Sequence, residues 1–500
     1  MTGDHQYCAL PAKPLLRERS LAEPNRDSSL PRVSRVVPVA WRGQLYLARL
    51  GLAAVLGGAP GLPMAWAGEA TNPPPDLRPP EFLESKPPLS DILLKDKPVG
   101  SYVTGFPAFG YNQESKFTYG ALAQFYDNGP TNSPFFRYAP YRQRFLLGAT
   151  ASTGRNASGF VGYDRPYIGD TPWRIRAGAA YTVTAFENYF GTSASSLGPL
   201  TYPGSTRQFD DFENYSDALD QNVNGRSWTA YNDYKRTEAG GVMTLERDYL
   251  GGRLRPLIGL QFSHVSVHDY TGEEIDGAVM HETRLRSDYL AGNIQGFGGG
   301  WDNAFKLGLT YDTRGFEPDP SSGIMLQASA RLSSKALGSS FDYQQVAISG
   351  RTFHNLLPEP SRLVLAGRLT YTMQFGDVPF YSMPTVPATD GDFRGLGGYA
   401  TLRGFVQNRF VGDAAAFANG ELRWTFGKTT FLKQHLRFMA VPFVDTGRVF
   451  DSLRDTTFTG WKIDGGVGFR LAWELATVVS FDYGRSSEGG LFYMELGHQF

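Results

Sequence analysis

The chain has 500 residues, 41% hydrophobic and 19% charged, with 58 glycines, 35 phenylalanines, 26 tyrosines, 8 tryptophans and a formal net charge of −1. So many aromatics exclude a disordered chain, and a near-zero charge removes the electrostatic ground for nucleic-acid binding. Beyond one N-terminal segment no run of eighteen apolar residues occurs, which argues against a helical membrane protein and leaves a large soluble β protein or a membrane β-barrel.

Residues 1–67 read as a signal peptide with an over-long leader. Residues 1–49 are polar and basic, the chain turns apolar from Leu50, and Ala65-Trp66-Ala67 is a small-x-small cleavage site. The length of the leader points to a translation start downstream of Met1, in the region of Val33 to Val39, with a disordered cytoplasmic leader as the alternative. The only cysteine, Cys8, lies in this part. The mature chain is therefore expected to carry no disulfide, zinc thiolate site or cysteine nucleophile. Residues 68–98 are rich in proline and mixed charge, and are expected to be an extended periplasmic linker, since about thirty residues cannot build a core of their own.

From Ser101 to Phe500 the dominant signal has period two. Trp461, Ile463, Val467, Phe469 and Leu471 share one face, opposite Lys462, Asp464, Gly466, Gly468 and Arg470. The final stretch puts Phe492, Met494, Leu496 and Phe500 on one face against Tyr493, Glu495 and Gln499. An apolar outer face and a polar inner one predict an all-β fold, a 16-stranded antiparallel transmembrane β-barrel over residues 99–500. The strands are expected at 100–109, 116–126, 141–152, 156–166, 172–188, 228–248, 253–269, 303–313, 322–334, 339–354, 361–375, 414–427, 432–449, 461–473, 476–485 and 491–500. With both termini periplasmic, the long segments 189–227, 270–302 and 376–413 all fall outside, and the short links near 250–253, 358–360 and 474–475 all fall inside. The link at 127–140 is long for a periplasmic turn.

Four motifs are set on this frame. Leu402-Arg403-Gly404-Phe405 sits in the sixth external loop. Phe443-Val444-Asp445-Thr446-Gly447 lies on strand thirteen and Asn419-Gly420-Glu421-Leu422-Arg423 on strand twelve, where alternation turns Asp445 and Glu421 inward. Asp312, Arg314, Pro320 and Gly323 flank a predicted periplasmic turn that also contains Phe316. A guanidinium in a narrow lumen loses hydration and needs partners, and its planar fork suits carboxylates.

In this ordered set the chain resembles the BamA and TamA superfamily of outer-membrane barrels, the bacterial surface antigens, as a member without POTRA domains. The resemblance implies that the sixth external loop folds into the lumen and that Arg403 is locked there by Asp445 and Glu421, with Leu402, Gly404, Phe405, Phe443 and Gly447 completing the lock. It also implies that Phe500 is a terminal aromatic signal for barrel assembly, although His498 departs from the aromatic usual two residues earlier, and that strand sixteen closes weakly on strand one. Gly100, Gly105 and Gly110 make that first strand a poor partner.

The function implied is insertion or translocation of proteins or lipids at the bacterial outer membrane through a lateral gate. The expected partners are the lipid bilayer, the barrel assembly machinery during biogenesis, and a periplasmic or client protein, with no nucleic acid. A passive outer-membrane pore or structural surface antigen is the competing reading. No enzyme activity, cofactor or metal is expected: His264 and His268 share a strand face but stand roughly 13 Å apart, too far for one ion. The acidic residues Glu273, Glu274, Asp276 and Glu282 lack a calcium-loop spacing.

Overall fold

The computed structural model describes residues 79–500 apart from 85–87, 90–93, 95–96, 113–115, 316–318, 359–360, 432–433 and 474–476. Residues 1–67, read above as a signal peptide, most of the 68–98 segment, Phe316 and the link at 474–475 lie outside the described residues. No described helix is long and apolar enough to cross a membrane.

Sixteen long strands form one antiparallel sheet. They are β1 (Ser101–Asn112), β2 (Lys116–Asp127), β3 (Gln143–Ser152), β4 (Ala157–Arg165), β5 (Trp173–Asn188), β6 (Asp233–Arg247), β7 (Leu254–Asp269) and β8 (Ala304–Asp312). The remainder are β9 (Gly323–Ser333), β10 (Tyr343–Leu357), β11 (Leu363–Gly376), β12 (Ala414–Phe431), β13 (Gln434–Phe450), β14 (Lys462–Trp473), β15 (Thr477–Ser486) and β16 (Gly489–Leu496). Each pairs with its neighbour in sequence, and β16 returns to β1, so the sheet is a closed barrel. Number and order agree with the alternation in the sequence.

The wall is built inside out relative to a soluble protein. On β9, Gln327 and Arg331 are buried while Leu326 is exposed; on β3, Arg144 is buried while Phe145 and Leu147 are exposed. Arginines 144, 403, 409, 423 and 470 are among the largest fully buried side chains. Such a wall suits hydrocarbon outside and polar groups within.

Closure is uneven. β16 and β1 meet through two register pairs, Tyr111↔Met494 and Asn112↔Tyr493. β12 and β13, by contrast, pair from Ala414↔Phe450 to Phe431↔Gln434 with one irregularity near Gly427. Gly105, Pro107 and Gly110 interrupt β1, and proline can donate no ladder hydrogen bond.

The long connections 189–232, 270–303 and 377–413 share one end of the barrel, the external end in an outer-membrane protein. Helices Phe212–Leu219 and Arg284–Leu290 lie in the first two. Aromatic clusters hold these connections to the wall and to the third: Phe190, Phe209 and Tyr215 pack with Tyr399, Val406 and Tyr493, and Tyr189 and Leu285 pack with Phe380 and Tyr381.

Two expectations change. The described part of the 68–98 segment is not a free tether. Leu83 is fully buried with Ala139 and Tyr167, and Lys97 donates to the carbonyls of Phe136 at 2.6 Å and Ala139 at 2.8 Å. One apolar pair, Phe82-Leu83, suffices to dock a proline-rich segment on the helix Phe135–Tyr138 that fills the long periplasmic link. The second correction concerns Phe500. β16 stops at Leu496, Gly497 takes a φ of +91°, and the last residues turn to the inner face, where Phe500 packs with Phe353, Val364 and Ala366. A residue in the left-handed region breaks the period of two, so Phe500 does not share the outer face of Phe492.

Candidate functional site

Arg403 sits at a tight reversal of the 377–413 segment, where Thr401 N–H donates to Gly398 O (3.1 Å), Phe405 N–H to Leu402 O (3.2 Å) and Gly398 N–H to Phe405 O (2.8 Å). Leu402 and Phe405, both buried, join Leu396 and Phe410 in a cluster with Phe417 of β12 and Val449 of β13. This apolar anchoring leaves the guanidinium facing inner-wall carboxylates. Its Nε and Nη2 donate to the two oxygens of Asp445 at 2.8 and 2.9 Å, and Nη1 donates to Glu421 at 2.7 Å and Asp482 at 3.3 Å. The guanidinium carbon also lies 3.4 Å from the ring centre of Phe443. Planarity serves both contacts, one edge forked to a carboxylate and one face stacked on a ring.

The carboxylates are shared. Arg470 donates to both oxygens of Asp482 at 2.5 and 3.0 Å, and Arg423 donates to Glu421 at 2.8 Å. Asn419 donates to Asp445 at 2.8 Å and to Thr401 O at 2.6 Å, tying wall and segment a second time. Three guanidinium groups and three carboxylates thus neutralise one another in a buried network, the condition under which desolvated charges persist. A fourth carboxylate, Asp464, stands opposite Asp445 in the β13–β14 register and is also buried.

Glycine makes the approach possible. A Cβ on Gly404 would lie 2.5 Å from Asp464 Cβ and 2.8 Å from the Arg485 carbonyl carbon, and one on Gly484 would lie 2.6 Å from the Arg403 backbone. A Cβ on Gly447 would come within 2.9 Å of Phe417. The segment also bonds to the external connections and the wall elsewhere: Arg409 holds Glu488 in a two-pronged pair at 2.8 and 2.9 Å, and Asn408 donates to Glu187 at 2.8 Å.

The predicted lock residues Leu402, Arg403, Gly404, Phe405, Glu421, Phe443, Asp445 and Gly447 therefore lie together. The turn residues form a separate group at the periplasmic end. Arg314 pairs with Asp312 at 3.0 and 2.8 Å, Arg255 joins them at 3.0 Å, and Gly323 has a φ of +103°, with its Cβ position 2.6 Å from Thr313 O. Pro320 is buried beside Asp319, which pairs with Arg362, Arg437 and His498. Alternation places Arg470 on the inner face, and likewise Asp482, which alternates with Phe481 and Tyr483 on the 476–485 strand, without giving either a partner, and it misses Asp319, Arg368, Arg409 and Glu488. Alternation gives a side chain's face and not its height on the wall, so pairings across the barrel leave no periodic signal.

Residues 143–500 match the model of the Omp85 superfamily domain, and residues 79–142 match a domain of unknown function (DUF5982). No curated protein matches the chain. Among solved structures, BamA from Haemophilus ducreyi lacking POTRA domains 1–3 is 16% identical, with 80% of this chain and 70% of that chain covered and a TM-score of 0.49. CdiB from Escherichia coli is 12% identical, with 79% of this chain and 62% of that chain covered and a TM-score of 0.46. CdiB from Acinetobacter baumannii is 11% identical, with 80% and 59% covered and a TM-score of 0.43. The chain belongs to the Omp85 superfamily and is a transmembrane β-barrel of the bacterial outer membrane.

Proposed function

We propose that the protein inserts or translocates a polypeptide or lipid at the outer membrane by parting β1 from β16, and that the 377–413 segment is a lumenal plug whose hold on the wall is coupled to that opening. The contrast between two attachments carries this reading. Arg403 is fully buried among three carboxylates, whereas β1 and β16 share two register pairs. A seam so short costs little to open, and a charge cluster so dry resists casual displacement. The reading assigns no catalytic step to any residue, and it makes residues 68–98, of which Leu83 and Lys97 dock against the link before β3, the contact for a separate partner protein.

Single-channel recording of the reconstituted protein tests the plug. Low, flickering conductance that Arg403→Ala raises and prolongs supports it; a steady, wide conductance indifferent to the substitution turns the reading toward a passive pore or surface antigen. Cysteines at the register partners Tyr111 and Met494 test the seam. Oxidation of that pair should suppress transport and reduction restore it, and transport unaffected by the closed bond overturns lateral opening.

A further inference from the structure

The 377–413 segment meets the inner wall twice. Besides the reversal at Arg403 it forms a second hairpin, in which Thr385 pairs with Arg394 and Val386 with Phe393. The tip of that hairpin, residues 387–392, is bonded to inner-face residues of β8, β9 and β10. Asp392 accepts from Lys306 Nζ at 2.6 Å, and Asp390 accepts from Arg351 Nη1 at 2.9 Å. The Thr389 hydroxyl meets that of Thr310 at 2.7 Å and accepts from the Gln327 amide at 2.8 Å. Gly308 permits the approach, because a Cβ there would stand 2.5 Å from the Thr389 methyl carbon.

The two attachments are opposite in charge. At the first, a cation of the segment is held by acids of β12, β13 and β15; at the second, acids of the segment are held by cations of β8 and β10. They also differ in access to water. The side chains of Arg403 and its three carboxylates are 0% exposed, whereas those of Lys306 and Asp392 are 11% and 17% exposed and those of Arg351 and Asp390 are 10% and 28% exposed. Ion pairs that water reaches are weaker and exchange more readily than dry ones. Lys306, Thr310, Gln327 and Arg351 thus form a polar strip matched to a chain with carboxylates two positions apart and a hydroxyl beside them. None of the four side chains is apolar, so the strip gives acyl chains no track, which favours a polypeptide over a lipid.

We propose that this strip is a binding lane for an acidic segment of a translocated polypeptide, and that residues 387–392 occupy it in cis until the 377–413 segment is displaced. The lane rests on the displaceable plug proposed above and gives the client a chemistry, carboxylate side chains on a chain that passes along β8, β9 and β10.

A shortened protein tests it, with residues 387–392 replaced by Asn-Gly, a two-residue turn suited to the facing pair Val386 and Phe393. Heat-modifiable gel migration in detergent checks that the barrel is folded. The probe is a fluorescent Pro-Ala-Thr-Asp-Gly-Asp peptide amide followed by anisotropy, with Pro-Ala-Thr-Asn-Gly-Asn as its neutral control. The shortened protein should bind the acidic probe saturably and the neutral one at least about tenfold more weakly, and wild type should bind neither. Adding Lys306→Gln and Arg351→Gln to the shortened protein should abolish the preference. No saturable binding of the acidic probe, equal binding of the two probes, equal binding by wild type and shortened protein, or a preference that survives loss of both cations overturns the proposal. Should the shortened protein not fold, Asp390→Asn with Asp392→Asn in the full chain replaces it, read by the same titration. The titration needs no channel opening and the Arg403→Ala recordings need no peptide, so the lane and the plug can fail separately.

Discussion

The wall at β12–β13 and the closure at β1–β16 are the same antiparallel ladder in two degrees of completeness. β12 and β13 span 18 and 17 residues, pair along nearly their whole length, and carry Glu421 and Asp445 to the Arg403 network. β16 has 8 residues and leaves β1 paired at Tyr111 and Asn112, while Gly105, Pro107 and Gly110 withhold side chains and a donor from the seam. The 377–413 segment is fastened to the complete wall and to the β15–β16 hairpin, through Ser486 and Glu488. Resistance is thus concentrated where the segment is held, and compliance lies one strand beyond it.

The comparison breaks if substitutions in the two places cost the same. Arg403→Ala leaves three buried carboxylates short of a partner and should destabilise by about 3–5 kcal/mol in urea unfolding of detergent-refolded protein. Adding Asp445→Ala should cost less than the two singles together, with a coupling of about 1–3 kcal/mol, because the pair is in direct contact. Gly404→Ala drives a methyl into Asp464 and the Arg485 backbone and should cost about 1–3 kcal/mol by the same measurement. Asp464→Asn replaces a buried acid facing Asp445 by a neutral side chain of the same shape and should be neutral or stabilising by up to about 1 kcal/mol, the opposite sign to its neighbours. At the seam, a Cβ on Gly110 meets Met494 O at 3.4 Å, an ordinary contact, so Gly110→Ala should stabilise by about 0.5 kcal/mol.

The smallest effect lies in the external connections. Burial, with Asp217 and Asp276 adding to it, raises Asp220 from its ordinary 3.8 to about 6. Between those values the folded chain binds a proton the unfolded chain does not, so this contribution to stability is present at acid pH and lost as pH rises toward and past 6. Asp220→Asn and wild type should melt together at pH 4, and the variant should melt slightly higher at pH 7.5.

Much of this was legible because a membrane barrel writes its fold in the simplest code, one face per alternate residue. Leu422 and Trp424 point out and Glu421 in whatever the rest of the chain does, so strand count, order and the inward direction of both carboxylates follow from local pattern. The partners of Arg403 do not: Glu421 and Asp445 are matched to it only through the resemblance of the motifs, and Asp482 reaches it only through the height at which β15 is set. Phe500 misleads for a related reason: alternation carries it outward with Phe492 until Gly497, a lone glycine in a strand pattern, turns the chain. The docking of Leu83 and Lys97 is hidden because proline-rich composition reports what a segment lacks and not what one apolar pair can reach.

The position of Phe500, 9% exposed beneath the wall, bears on how the protein is handled in the laboratory. An affinity handle or fluorescent fusion joined at Phe500 would have to thread out through the periplasmic mouth or evict the residues it follows. The external turn around Phe458, whose ring is 95% exposed, is the safer place for an epitope.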